Sequence, residues 1–410
     1  MLKSFKTISI TLIFYLISLP LYNPELSKNK HILSPFYKSL NQSLINEGSN
    51  TQLFEGITNK VDRAKVKIEK RGLKGLENIV DENIMDFISK VHNSPKEVKI
   101  NYKGCIIIAS SNIAEGLANY YEKHKKHREE IIKALENITQ TIASPNFNPY
   151  KTNLFKVKNY KDYGLFLSHV NIILGSYERV ARNGKYRILN EKISKYLAKR
   201  ILLDKYNHMP SFPHSSLRWP ADQAALLYSL YLYDINFGKD ISKKPIHKWL
   251  NYMKKHGIDK RTGLHVSEVT GRAKDSPIPR GCALSWTIKY MAKFAPEEAK
   301  KLWSRYKKEF LVDYILSAGL REYPKGYYFK PDIDSGPIFN GIGTSATAFG
   351  IGAANTIGDR LTYFKLLNSY NVGKFIISIV GNDKMKRLSN DLLASSIIFS
   401  SKYQRSIYCL

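Results

Sequence analysis

Asp222 in the run RWPAD, Asp332 and Asp334 in PDIDSGP, and His169 in SHVNIILG are the residues of this chain best suited to moving protons. Two carboxyl groups in unlike surroundings can serve as general acid and general base, because those surroundings separate their pKa values. Asp222 and Asp334 are the expected pair, with His169 positioning substrate or relaying a proton. Each has a plainer alternative: Asp222 as a helix N-cap, the PDIDSG run as an Asx-turn, His169 as a satisfied core histidine. Around them, Arg218, Arg280 and Arg321 could clamp an anionic group or pair with Glu268, Glu322 or the aspartates. Trp219, Trp286 and Tyr163 could stack on a ring. Asp332 and Asn340 complete the expected substrate contacts, and glycines 336, 341 and 343 allow the backbone to approach a ligand closely. The PDIDSG oxygens lack the twelve-residue spacing of an EF-hand, so neither a metal nor a cofactor is expected.

These residues are far apart in sequence, so elements must gather them. DQAALLYSLYLY, from Asp222, is apolar nearly all round, and such a helix is buried on every side. Similar runs begin at Ile106, His169, Cys282, Thr344 and Asp391, separated with it by 63, 53, 60, 62 and 47 residues. Between them lie segments such as PEEAKKLWSRYKKEF, where Trp303, Tyr306 and Phe310 form one apolar stripe among lysines. Inner helices alternating with one-faced return helices predict an all-α fold, a ring of about six helical hairpins or α/α toroid. Loops rich in Gly and Pro precede the inner helices, so the candidate residues meet at one rim. LHVSEV (264–269) alternates as a short rim strand would.

The composition narrows the function. Hydrophobic residues make up 43% of 410, enough for a large core. The net charge is +29, but the lysines are dispersed and sit among many Asn, Ile and Tyr, as on a solvated surface; no nucleic-acid partner is expected. Three cysteines without paired spacing exclude a disulfide framework or structural zinc site. Lys3 and Lys6 precede an apolar run, Ile8 to Leu21, too short to span a bilayer. Residues 1–30 therefore read as an export signal, or as an uncleaved anchor tying the protein to the membrane. Residues 31–100 read as an N-terminal helical extension and 101–410 as the catalytic toroid.

From about Tyr163 to Asp359 the chain resembles the linalool dehydratase/isomerase domain of the six-hairpin glycosidase-like superfamily. HVNIILGSYERV resembles the segment carrying that family's catalytic histidine, and RWPADQAALLYSLYLYD resembles its C-E-P-D-N segment and following inner helix. SPIPRGCALSWTIKYMAKFAPEEA and LREYPKG through GD resemble the later parts. The resemblance implies the toroid and a rim site containing His169 and Asp222. The family's two active-site cysteines are replaced near Asp222 by residues such as Trp219 and Tyr228, and their loss together with the gain of Arg280, Arg321 and the aspartate-rich loop makes the pocket more polar. Three functions follow: cleavage of a glycan bond, the leading expectation; a hydro-lyase or isomerase acting on an alcohol; and a non-catalytic glycan- or envelope-binding toroid.

Overall fold

The computed structural model describes residues 103–273, 277–314, 316–380 and 392–407. The expected export segment and N-terminal extension lie outside the described residues. The chain runs through α1 (Lys103–His124), α2 (Arg128–Ala143), α3 (Gly164–Ala181), α4 (Arg187–Leu203), α5 (Pro220–Phe237), α6 (Lys243–His256), α7 (Gly281–Phe294) and α8 (Pro296–Phe310). Two antiparallel hairpins follow, β1 (Leu311–Asp313) with β2 (Ala318–Leu320) and β3 (Ile338–Phe339) with β4 (Ile342–Gly343). The chain then continues into α9 (Thr344–Ile357), α10 (Arg360–Val380) and α11 (Leu392–Lys402). All these elements belong to one compact unit.

The odd-numbered helices form a closed ring in which each packs on two others, α1 on α3, then α5, α7, α9, α11 and back to α1. The even-numbered helices return the chain along the outside, so the inner helices run in one direction and their N-termini share a rim. This is the α/α toroid. Local sequence explains each role. In α6 only Pro245, Trp249 and Met253 are buried, at a spacing of four, and the opposite face carries lysines. Burying a side chain such as Met253 stabilises that outer layer by about 1.5–3 kcal/mol. In α3 nearly every residue is buried, because neighbours cover it all round. Pro296 opens α8 with Glu297 and Glu298 in the first turn and Lys307 and Lys308 in the last, matching the helix dipole at both ends. Among the described residues, no helix is long and apolar enough to cross a membrane.

The ring closes through close contact of its first and last inner helices. A Cβ on Gly116 of α1 would lie 2.6 Å from the Phe399 ring of α11. Polar groups cross the interior as well. Lys289 of α7 pairs with Glu115 of α1 at 2.8 Å and donates to Asn112 Oδ1 and to Ser400 Oγ of α11 at 2.9 and 3.0 Å. All four side chains are buried, so each depends on the others to replace water.

The expected strand at 264–269 is not one. Only His265 makes a bridge, to Ile258, and the segment is instead held from the side. Val266 N–H donates to the Gly257 carbonyl, Val269 N–H donates to the Arg218 carbonyl, and the Glu268 carboxylate takes neighbouring backbone N–H groups. Alternating polarity here reflects a loop laid across the rim, with no partner strand. The short strands lie at 311–320 and 338–343.

Candidate active site at the N-terminal rim

Asp222 occupies the first turn of α5, behind Pro220 at the helix start. Its carboxylate takes the Ser211 hydroxyl as donor, and no side-chain cap bond forms at this terminus. The local cap reading is therefore not how the group is bonded. Ser211 is presented by a loop that seals two helix starts together. Gly164 N–H donates to the Pro210 carbonyl, Leu165 N–H to the Ser211 carbonyl, and Met209 N–H to Gln223 Oε1. Burial, with the Asp334 charge adding to it, pushes the Asp222 carboxyl up to about 6 despite the Ser211 bond. Asp222 and Asp334 thus share one electrostatic environment although 112 residues separate them.

The second half of the rim is built around Arg280. It precedes Gly281, whose N–H donates to the Glu322 carbonyl at 2.7 Å. A Cβ at Gly281 would sit 2.0 Å from the Arg321 carbonyl oxygen, so only glycine lets α7 start against this strand. Arg280 Nε donates to Glu322 Oε1 at 3.1 Å and Nη2 to Asp332 Oδ1 at 2.9 Å. Asp332 Oδ1 also accepts the Asp334 and Ser335 N–H groups, an Asx-turn that fixes the loop. Burial alone would raise Asp332, but Arg280 and Ser335 hold it below the usual range. Asp334, with one side to solvent, is raised by desolvation and by the Asp332 charge, with Arg280 opposing. Glu322, fully buried, is raised by burial against the pull of Arg280 and Cys282. The rim thus holds one carboxyl kept below its usual range and three raised above theirs.

Arg321 is half-buried beside this group, and a Cβ at Gly341 would lie 2.9 Å from its Nη1. Asn340 and Gly341 both have positive φ, 50° and 79°, and form the two-residue turn of β3–β4. Asn340 is explained by that turn and is exposed. Trp219 and Tyr163 are half-buried at the starts of α5 and α3, with Tyr163 edge-on to Tyr150 at 5.2 Å.

Several expected site residues are committed elsewhere. Arg218 pairs with Asp204 at 2.8 Å and donates to the carbonyls of Ser215 and Leu217, stapling the loop before α5. Glu268 accepts backbone N–H groups of Arg218, Thr270 and Arg272. Trp286 is buried against Phe349 and His169, with ring centroids 4.5 and 5.5 Å away. His169 itself is fully buried, with Nδ1 2.6 Å from Ser111 Oγ. Burial pushes it down to about 3, and the charges that act on it are Lys289 and Glu115, neither rim aspartate among them. The imidazole therefore belongs to the axis of the ring and is held neutral there. The reason is a matter of helix register. The helix starts at Gly164, five residues before His169, which lowers the histidine by about 7.5 Å from the rim at 1.5 Å per residue.

Sequence reading missed Cys282, whose thiol donates to Glu322 Oε1 at 3.0 Å. It lies two residues after Arg280, and its place in the first turn of α7 was the available signal. It also missed the exposed apolar residues Tyr328, Ile333 and Phe339 of the rim loops. Among the described residues, no group of three or more His, Cys, Asp or Glu is arranged to hold a metal ion.

The ring of hairpins and the polar rim together define the α/α toroid class, and solved structures agree at the level of fold. The chain is similar to a family 105 glycoside hydrolase of C. acetobutylicum, at 14% identity and TM-score 0.52, over 78% of this chain and 99% of that one. Two family 76 glycoside hydrolases of Bacteroides thetaiotaomicron, the second titled an alpha-mannanase, match at 11% identity. Their TM-scores are 0.46 and 0.40, over 73% and 79% of this chain and 68% and 84% of theirs. No family model and no curated protein matches the sequence. The toroid fold implied by the sequence resemblance is thus shown, and its linalool dehydratase part is not.

Proposed function

We propose that this protein is an exported enzyme that cleaves a glycan bond at the N-terminal rim, with Asp222 as general acid and Asp334 as general base. The observation that carries this reading is a rim where two carboxyls from different hairpins are both raised, Asp222 by burial and the Asp334 charge, Asp334 by burial and the Asp332 charge. Near pH 6 Asp222 retains a proton to donate to the leaving glycosidic oxygen. Asp334, in its more open position, takes a proton from the attacking water in an inverting scheme, or attacks the sugar in a retaining one. Asp332 stays ionised on Arg280 and keeps the loop placed. Arg321 and the exposed rings of Tyr328 and Phe339 offer polar and flat apolar contacts to a sugar chain. The glycoside hydrolase neighbours share the fold and support the reaction class. His169 positions the inner helices and takes no part in proton transfer.

Purified protein screened on envelope and plant polysaccharides should release product, and Asp222→Asn and Asp334→Asn should each lower turnover by about 10²–10⁴-fold. Unchanged turnover in both would overturn the assignment. A second reading, dehydration or isomerisation of an alcohol, draws on the Cys282–Glu322 contact. It expects Cys282→Ser, instead of the aspartate substitutions, to abolish turnover of an alcohol substrate.

A further inference from the structure

The opposite end of the toroid holds a cleft of about 500 Å³, within the size range of small-molecule sites. Its lining comes from the C-terminal ends of α1, α3, α5 and α7 and from Arg405 beyond α11. Four cations, Arg179, Arg182, Lys293 and Arg405, face two carboxylates, Glu122 and Glu178. Glu122 is shared, taking Arg179 on both oxygens and Arg405 Nη1 at 2.8 Å. Glu178 accepts the Gly184 N–H, and burial raises its carboxyl. Lys293 is 7% exposed, with its ammonium 6.0 Å from the centre of the Tyr228 ring. Tyr231, Leu232 and Ile235 give the cleft a flat apolar side.

We propose that this cleft binds a small organic phosphate through Lys293, Arg179, Arg182 and Arg405, with its organic part against Tyr231 and Ile235. Four cations against two carboxylates leave net positive charge for a phosphoryl dianion, with Lys293 and Arg182 the cations not bonded to Glu122. This site is independent of the glycan-cleaving reading. The groups facing Lys293 are Glu115 from α1, Arg179 from α3, the Tyr228 ring from α5, Lys289 on its own helix and Arg405. Burial, with the three cations adding to it, pushes Lys293 down to about 8, which Glu115 only partly offsets. An anion in the cleft restores its proton, so binding should weaken as pH rises from 7 to 9.

The test is isothermal titration of the full chain with phenyl phosphate, with inorganic phosphate as the charge-only probe and phosphatidylglycerol vesicles as the lipid-headgroup source. Saturable binding of phenyl phosphate is expected, weakened roughly tenfold by Lys293→Met and by Arg182→Ala. Arg182 is exposed, so its variant keeps the fold if the Lys293 variant does not. Lys244→Ala, an exposed change on α6, should leave binding unchanged and controls for net charge. Vesicle binding that also depends on Lys293 would make a lipid headgroup the source. Absence of saturable binding, or equal losses in the Lys244 control, would overturn the proposal and leave these cations as partners of the helix carbonyl ends.

Discussion

The two ends of the toroid hold opposite kinds of electrostatic frustration. At the N-terminal rim, carboxyls from different hairpins crowd together and Asp222 is driven up to about 6. At the other end, cations crowd together and Lys293 is driven down to about 8. Helix dipoles make each choice sensible, since carboxylates favour helix N-termini and cations favour C-termini. Yet both ends hold more like charge than their partners cancel, and such surplus marks places built for chemistry or ligands instead of stability. Between them Glu115 and Lys289 face each other as a buried ion pair. There burial would raise Glu115, but Lys289 and its neighbours bring it down to about 2. The middle is structural, and the ends are poised.

The sharpest way to break this comparison is kinetic. Asp222→Asn should cut turnover by about 10²–10⁴-fold while Lys293→Met changes it less than about threefold, measured on the same glycan. The wild-type rate should fall as pH rises through about 6, as Asp222 loses its proton. Equal losses in both variants would mean that the ends are one site.

The matched middle should fail in a different way. Lys289→Met leaves Glu115 buried without its cation and should cost about 3–5 kcal/mol in urea unfolding, and adding Glu115→Gln should recover much of it. Little loss from the single change would show that the pair does not organise the ring.

Stability against pH separates rim from axis with the sign worked out. Native Asp222 keeps its proton up to about 6, whereas the unfolded chain releases it near the ordinary 3.8, so this site loses stability as pH rises between those values. Asp222→Asn should therefore stabilise the fold at pH 7 by about 1–3 kcal/mol, with the gain vanishing at pH 3.5. Glu115 has the opposite slope. Its contribution is complete above about 4.5 and is lost as pH falls toward 2. A destabilised Asp222→Asn at pH 7 would refute the view of a strained rim carboxyl.

The smallest effect tests Asn340. Asn340→Ala should cost about 1 kcal/mol through its left-handed backbone, and Asn340→Gly should be nearly neutral, with turnover retained in both. A large rate loss in the glycine variant would restore Asn340 to substrate binding.

The ring was legible because an inner helix announces itself by apolar residues on every face. α5, α7 and α9 begin within two residues of the runs that predicted them. Asp222 and Arg280 were placed at helix starts by their sequence, and the structure sets Glu322 and the Asp332–Asp334 loop beside Arg280. Depth along the axis was not legible. His169 opened its apolar run, but the helix extends back to Gly164, and that shift moves the imidazole from mouth to interior. Lys289 was illegible for a related reason. Nothing in the apolar run CALSWTIKYM marks its direction, and only its bonds to α1 and α11 show that it faces inward.

The contact of α11 with α1 has a consequence for how the protein is made. The helix that seals the circle is synthesised after the other inner helices described, and Ser400 must reach Glu115, 285 residues upstream. A nascent chain therefore leaves the α1 flank and the Glu115 carboxylate open until α11 has emerged. A truncation at residue 390 should accordingly yield an aggregating or chaperone-bound chain, because the ring then has no α11 to close it.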